Sequence, residues 1–355
     1  MAMTNKTATC LLVVLLAAAA WADTARDREA YCAYVLGEAQ AQKIYLRSPS
    51  VEFGLSQQPI AAGVPQTFVG ITNHLSDDLK SRSVMKAAGK DCELYRASVD
   101  VQQHLQYALP GIERDAVKTK LKLIQRALAR LERMIAESDT LVAARNLTIS
   151  NLYGLRYERT KLKAQKAQAE LSLATLWVPE LSNEPLRVLL SRKQNLEVEK
   201  QKAVHQVARH DNWDVAFTAG VHRSATEFSS GSFGAYGGFS LRYSLGAPAR
   251  DRALDRAVAA YGDWKQAQQN DAMQAAEVLR QEITDSIVVQ GEALSALQAE
   301  RDEIEGTLIS VAGLDTSAAV AFASRLAVDK LTLDIEIETA QFRLARLREY
   351  LSANF

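Results

Sequence analysis

Two stretches, WDVAFTAGV at residues 213–221 and FGAYGGFSLRYSL at residues 233–245, decide the fold. In each stretch large apolar residues alternate with small or polar ones, and this period of two predicts a β-strand. The loop between them, at residues 229–232, contains only Ser and Gly, so the pair predicts a long β-hairpin. The large side chains that share one face of this hairpin are Trp213, Val215, Phe217, Phe239, Leu241 and Tyr243.

Alternation over about a dozen residues, with aromatic side chains near the strand ends, is typical of strands in a membrane β-barrel. A half-buried strand of a soluble sheet has a similar pattern, but two such strands alone do not form a stable soluble sheet. We therefore predict that the six apolar residues named above face lipid. A shorter hairpin is predicted at residues 49–74, where Val51 and Phe53 alternate with Glu52 and Gly54.

The elements around the hairpins occur twice in the same order. Each half reads as a helix, a β-hairpin, a helix of about 65 residues, a turn and a returning helix. The first repeat is predicted at residues 23–176 and the second at residues 186–355, with its hairpin at residues 211–245. An irregular connector at residues 177–185 joins them. The predicted fold class is mainly α with a small β part: long coiled-coil hairpins plus two β-hairpins.

Helical turns are predicted near residues 138–141 and 313–316. The second turn has Gly313 followed by the capping hydroxyl of Thr316. Pro110 is expected to kink or briefly break the first long helix, because proline removes a backbone hydrogen bond.

Apolar residues at coiled-coil spacing run along both long helical hairpins, and Arg301, within one such seam, is expected to pair with a neighbouring helix. A helical pair of roughly 95–100 Å with a two-stranded sheet at one end has no closed core, so copies of the chain must associate. The seam before the first turn comprises Val117, Leu121, Ile124, Leu128, Leu131 and Ile135. The seam of the final helix comprises Leu326, Leu333, Ile337, Ala340, Leu344, Leu347 and Leu351.

Residues 1–22 are typical of a cleaved secretory signal, with Lys6, an apolar run at residues 11–20 and an Ala-x-Ala site at residues 20–22. The apolar run is too short to span a bilayer as a helix. Any membrane part of the mature chain is therefore expected to consist of strands. The 42 basic and 42 acidic residues are interspersed, which disfavours a nucleic-acid partner.

Two cysteines, Cys32 and Cys92, remain after removal of the signal, in a compartment that is expected to be oxidising. Cys32 lies 18 residues before Ser50, and Cys92 lies 18 residues after His74. If the two flanking helices run side by side away from the hairpin, the thiols lie at the same height, which favours a disulfide. The alternative is that both are small buried residues without a covalent bond.

The sequence gives little support for catalysis. The five histidines are scattered without an i, i+4 metal pair, and neither a glycine-rich phosphate loop nor a nucleophile elbow occurs. We expect no enzyme activity, cofactor or metal. The sequence Asn-Leu-Thr at residues 146–148 matches a glycosylation site but lies in a predicted helix, so we interpret it as a chance match.

The order of elements resembles the TolC family of trimeric outer-membrane channel-tunnels across essentially the whole mature chain. Residues 189–221, LLSRKQNLEVEKQKAVHQVARHDNWDVAFTAGV, look like the family's run from helix into strand in the second repeat. Residues 239–245, FSLRYSL, look like its exit from strand to helix, and residues 349–351 end the chain as its last helix often does.

The resemblance implies a homotrimer whose twelve strands close a barrel in outer-membrane lipid, above a long helical periplasmic tunnel. It implies a passive exit duct for an efflux or secretion system that works with a periplasmic adaptor and an inner-membrane pump. The partners would meet the two turns, named here the docking tips. Their residues are Asp139, Thr140 and Leu141 in the first repeat, and Gly313, Leu314 and Asp315 in the second. The alternative is that these are ordinary helical turns.

Three features depart from the family pattern. The chain is short, and the first hairpin has about eight residues per strand, whereas a tilted spanning strand has 9–11. Members often carry an aspartate ring after the second turn, but residues 317–326 have no carboxylate, and Arg325 is their only charge. Arg325 and Asp329 are therefore candidate constriction residues in a pore that would favour anions, or else solvated outer charges.

Two other classes of protein remain as alternatives. The short first hairpin favours a TolC-like periplasmic coiled-coil scaffold without a complete membrane barrel. A soluble periplasmic binding module is disfavoured, because no compact pocket is visible in the sequence.

Overall fold

The computed structural model describes residues 24–56, 66–143, 149–224, 233–267, 271–314 and 316–355. Several sequence predictions concern residues outside these ranges: the secretory signal at 1–22, the loop at 229–232, the possible glycosylation site at 146–148, and Asp315.

The described chain is mainly helical with a small antiparallel sheet, as predicted. In chain order its elements are α1 Thr24–Arg47, β1 Ser50–Ser56, β2 Gln66–His74, α2 Leu75–Ala143, α3 Ile149–Thr175, α4 Leu186–Arg209, β3 Trp213–Ser224, β4 Gly234–Tyr243, α5 Ala247–Ala267, α6 Asp271–Val311 and α7 Ser317–Asn354. A short 3-10 helix, His210–Asn212, leads from α4 into β3.

Helix α2 is continuous through Pro110, so of the predicted kink or break the break is wrong, and the kink stays a prediction. Proline within a helix costs about 3 kcal/mol, because it removes one backbone hydrogen bond and its ring crowds the preceding turn. Buried side chains on both sides of the proline offset this cost: Ala108, Ile112 and Ala116 are all nearly inaccessible to solvent.

The predicted turn at residues 138–141 lies too early in the sequence. Helix α2 continues to Ala143 and α3 begins at Ile149, so Asp139, Thr140 and Leu141 belong to the last turns of α2. The Thr140 hydroxyl donates to the Glu137 carbonyl at 2.7 Å, a bond that a helical threonine makes without ending its helix. Ser-Asp-Thr is therefore a weaker stop signal than its composition suggests.

The chain forms two compact units, one built from residues 1–99 and 189–270 and the other from residues 100–188 and 271–355. The first unit contains the sheet with α1, the first part of α2, most of α4, and α5. The second unit has a core in which α2, α3 and α7 meet. That core comprises Leu123, Ile124, Ala127, Leu131, Ile135, Leu152, Leu155, Leu162, Val328, Leu331 and Ile335.

The seam of α2 in this core is present, but its repeat differs from the prediction. Ile124, Leu131 and Ile135 are buried as predicted, whereas Ala127 is buried and Leu128 is only partly covered. Buried positions recur eleven residues apart, as at Ala116 and Ala127. An eleven-residue repeat has about 3.67 residues per turn, close to a straight helix, whereas a heptad needs 3.5.

Helix α7 is buried on two sides. Its predicted positions Leu333, Ile337, Ala340, Leu344 and Leu347 are buried, whereas Leu326 and Leu351 are half-buried. Val328, Leu331 and Ile335 cover a second side, against α2 and α3.

The ion pair of Arg301 lies within α6 and not with a neighbouring helix as expected, although Asp334 of α7 also attracts its charge. Its guanidinium binds the carboxylate of the adjacent Asp302 at 3.0 Å, because that carboxylate is within reach on the same helix. The ion pair between α6 and α7 is instead Lys330 with Glu305, at 2.6 Å.

The four strands form one antiparallel sheet in the order β1-β2-β3-β4. Strand β2 of the first hairpin pairs with β3 of the second over nine residues, from Gln66 opposite Ser224 to His74 opposite Ala216. The sequence left open whether the two hairpins contact each other, because pairing between distant segments leaves no local signal.

Candidate functional site

One face of the sheet is apolar and exposed across all four strands. Residues directly opposite each other in an antiparallel pair project from the same face, so the register assigns the faces. Trp213 lies opposite Tyr243, Val215 opposite Leu241, and Phe217 opposite Phe239. The six residues predicted to face lipid therefore form three adjacent cross-strand pairs.

The first hairpin extends the same face. Val51 lies opposite Ile71 and Phe53 opposite Val69, and through β2 and β3 this row continues to Ala219 and Val221. Phe53 is 83% exposed, Phe239 61% and Leu241 65%. These residues of the first hairpin were absent from the predicted lipid-facing set, although the alternation of Val51 and Phe53 pointed to them. We name this surface, from Val51 to Tyr243, the apolar sheet face.

The opposite face of the sheet carries mostly small and polar residues, with the rings of Phe68 and Tyr236 among them, and we name it the polar sheet face. The hydroxyls of Thr72 and Thr218 are 3.0 Å apart. At the end of the sheet next to the helices, the Asp214 carboxylate binds both the His74 ring at 2.8 Å and the Ser76 hydroxyl at 2.9 Å.

Aromatic rings on the polar sheet face lie over glycines of neighbouring strands. The Tyr236 ring of β4 covers Gly220 of β3 and extends to Gly70 of β2. Phe68 covers Gly54, 3.0 Å from the position that a Cβ would take there. Phe68 and Tyr236 meet edge to face, with ring centroids 6.4 Å apart. Such packing over glycine restores the contacts that the missing side chain would make.

Cys32 and Cys92 form the predicted disulfide, which joins α1 to α2 with a Cα–Cα distance of 5.0 Å. Beside it the rings of Tyr31 and Tyr95 stack with centroids 3.9 Å apart. The Tyr95 hydroxyl donates to Asp27, and this bond, more than burial, raises the pKa of Tyr95. The bridge and the stacked rings together fix α1 against α2.

A buried histidine, His104, binds two other segments of the second unit. Its Nε2 is 3.0 Å from the carbonyl oxygen of Ser182, so Nε2 carries the proton. Its Nδ1 then accepts from the Tyr350 hydroxyl at 3.2 Å. Burial lowers the pKa of His104, since the charged ring would lose its hydration. Burial therefore favours the neutral form of His104, which links α2 to the connector and α7, a role that the sequence did not indicate.

The docking tips differ in how far the structure supports the predicted turns. At the second tip α6 ends at Val311, Leu314 is exposed, and the Thr316 hydroxyl accepts from the Ala319 amide at 3.2 Å as the cap of α7. This turn occurs where it was predicted. At the first tip Asp139 instead forms an ion pair with Arg156 of α3 at 3.1 Å.

Arg325 and Asp329, the candidate constriction residues, lie one turn apart on α7, and both are exposed. Among the described residues no group of three or more histidine, cysteine or acidic side chains could hold a metal ion. None of the described helices contains an apolar run long enough to cross a membrane.

No protein-family model matches this sequence. None of the curated proteins compared with it is a match. Among solved structures, the outer-membrane channel MtrE of Neisseria gonorrhoeae in its open state is similar, with a TM-score of 0.45 and 15% identity over 92% of this chain and 85% of that chain. The outer-membrane channel OprN has a TM-score of 0.44 and 15% identity, over 93% of this chain and 87% of that chain. The outer-membrane protein VceC of Vibrio cholerae has a TM-score of 0.43 and 14% identity, over 98% and 97%. Each of these three outer-membrane proteins is similar to this chain over most of its length.

Proposed function

We propose that the protein is one subunit of a homotrimeric outer-membrane channel-tunnel, a passive exit duct for an efflux or secretion system. The observation that carries the proposal is the apolar sheet face, which is exposed on all four strands of the chain. A soluble monomer rarely exposes so continuous an apolar surface, because leaving it in water is costly. Lipid is the environment that suits it.

The strand lengths of the second hairpin fit this proposal. Strand β3 has 12 residues and β4 has 10, and a tilted strand crosses a bilayer with about 9–11 residues. Apolar residues on one face and small or polar residues on the other are the pattern of a barrel wall between lipid and water. The polar sheet face would then line the duct.

The sheet edges support association of copies. Within the described chain β1 and β4 each have a neighbour on one side only, so each has a row of backbone groups without a partner strand. In a membrane such groups need partners, which closure into a ring supplies. Three copies would contribute twelve strands.

The partner contacts of the duct are proposed at the second tip. A periplasmic adaptor, and through it an inner-membrane pump, would meet the exposed Leu314 between α6 and α7. A Leu314→Cys variant should crosslink to the adaptor in intact cells, whereas Ser295→Cys, an exposed position on α6, should not. Equal crosslinking at both positions would contradict docking at the tip.

A second candidate function is a periplasmic coiled-coil scaffold without a complete barrel. The observation that favours it is β1, of which the structure describes seven residues, fewer than the 9–11 of a tilted spanning strand. The scaffold would keep the helical units but stay soluble without detergent.

Membrane fractionation and planar-bilayer recording separate the two functions. The duct predicts that the protein extracts only with detergent, sediments as a trimer and gives single-channel currents in lipid. A protein that purifies from the periplasm as a monomer without detergent, and gives no currents, would refute the duct.

A further inference from the structure

We propose that Tyr236 is held flat on the polar sheet face by Gly70 and Gly220, and that this arrangement, the tyrosine latch, sets the free cross-section of the duct at its level. The inference rests on the proposed channel function. Beyond the packing of Tyr236 over Gly70 and Gly220, it gives these three residues a role in the width of the duct.

The evidence for the latch is how close a Cβ on either Gly70 or Gly220 would come to atoms of Tyr236. A Cβ on Gly70 would overlap the Tyr236 hydroxyl, and its distance to Tyr236 Cζ would be 3.3 Å. A Cβ on Gly220 would lie 2.8 Å from Tyr236 Cε1. The tyrosine side chain therefore occupies the volume that two other residues would need for side chains of their own.

The direction of the ring follows from this. Gly70 and Gly220 lie directly opposite each other on β2 and β3, while Tyr236 belongs to β4 and lies opposite Gly220. To reach Gly70 the ring must extend along the surface of the sheet across β3. A tyrosine that stood perpendicular to the strands would instead project into the space in front of the polar sheet face.

Neighbouring rings support the flat position. His222 lies 6.1 Å from Tyr236 between ring centroids, and Phe68 meets Tyr236 edge to face. These contacts surround Tyr236, which is half-buried, whereas the aromatic side chains of the apolar sheet face are mostly exposed. Three subunits would contribute three latches at one level of the duct.

The two glycines differ in what a substitution would do. At Gly220 a Cβ would also meet the backbone of β2, at 2.6 Å from Gly70 Cα, so alanine there would disturb strand pairing itself. At Gly70 the overlap is with the far end of a side chain that can rotate away, and the nearest backbone atom, the Ala219 carbonyl oxygen, would be 3.3 Å from the Cβ. Gly70→Ala therefore displaces the tyrosine with little change to the strands.

The experiment compares three variants of the full-length protein by single-channel recording in planar lipid. Gly70→Ala should lower the conductance, because the displaced ring would enter the duct. Gly70→Ala with Tyr236→Phe should restore it, since the overlapping hydroxyl is removed. Gly238→Ala is the matched control, because it adds a methyl group to the polar sheet face where no atom lies within 4 Å.

The experiment distinguishes failure of the latch from failure of the channel function. Wild-type conductance in Gly70→Ala, or an equal decrease in Gly70→Ala and Gly238→Ala, would overturn the latch while leaving the channel function intact. An absence of wild-type currents would refute the channel function itself. If Gly70→Ala fails to assemble, recovery of assembly in the double variant supports the overlap with the hydroxyl, and continued failure overturns it.

Discussion

Phe217 of β3 lies directly opposite Phe239 of β4, and their ring centroids are 5.2 Å apart on the apolar sheet face. Both side chains are more than half exposed, so the pair is an aromatic contact on a surface rather than in a core. Aromatic cross-strand pairs stabilise a sheet by about 0.2–1 kcal/mol relative to alanine. The remaining apolar area of the pair is free for contact with lipid.

A charge on this face should prevent assembly in the membrane. Phe239→Arg would place a guanidinium toward lipid at a cost of about 2–4 kcal/mol near the bilayer midplane. Ser240→Arg, the next residue on β4, points to the polar sheet face and should be tolerated. The measurement is the amount of detergent-extracted trimer, and equal losses in the two variants would contradict the assignment of the faces.

Removal of the disulfide should destabilise the first unit. Cys32 and Cys92 are separated by 60 residues, and a bridge closing a loop of this size typically contributes about 2–4 kcal/mol. Cys32→Ser with Cys92→Ser should lower the free energy of unfolding by this amount, which is measured as a lower denaturant midpoint. Reducing agent should shift the wild-type midpoint and leave the double variant unchanged; a reductant effect on both would point to another cause.

The stability of the second unit should fall as the pH decreases below the ordinary histidine range. The pKa of His104 is lowered in the folded protein, so between that value and about 6.5 the unfolded chain binds more protons than the folded chain. His104 thus contributes its full stability above pH 6.5 and loses it as the pH falls toward the folded-state pKa. Nearby Asp100 opposes the shift without reversing it.

The His104 prediction is checked by urea unfolding at pH 7.5 and pH 5. The free energy of unfolding of His104→Gln should differ less between these two pH values than that of the wild type. His205→Gln is the control, because His205 is half-buried and its Nε2 forms a hydrogen bond with Gln201, one turn away on the same helix, α4. An unchanged pH dependence in His104→Gln would refute the role of this ring.

The eleven-residue repeat of buried positions along α2 predicts that truncating Leu131 and truncating Leu128 lower the stability by different amounts. Leu131 is inaccessible to solvent, so Leu131→Ala should cost about 2–5 kcal/mol through lost burial and a cavity. Leu128 is only partly buried in this structure, so Leu128→Ala should lower the free energy of unfolding by clearly less. A heptad seam would make the two truncations similar, and circular dichroism during thermal unfolding distinguishes these outcomes.

Sequence patterns predicted the helices and strands correctly where a single local effect, such as strand alternation or helix capping, determines the structure. The alternation in β3 and β4 indicated the strands and the shared face of Trp213 and Tyr243, because side chains alternate strictly across a pleated strand. Thr316 indicated the start of α7, since its hydroxyl caps an orphan amide. The predicted break failed at Pro110, where buried neighbours keep the helix continuous, and the predicted turn failed at Thr140, whose hydroxyl bonds within the helix instead of ending it.

The sequence by itself indicated the order of helices and hairpins, the apolar face of β3 and β4, and the helical cap at Thr316, and it favoured a disulfide between Cys32 and Cys92, because periodicity and spacing act within one segment. Only the tertiary structure decided that β2 pairs with β3, that His104 links three segments, and that Tyr236 lies over Gly70. Each of these depends on residues far apart in the chain, whose meeting is fixed by strand register and core packing rather than by neighbouring residues.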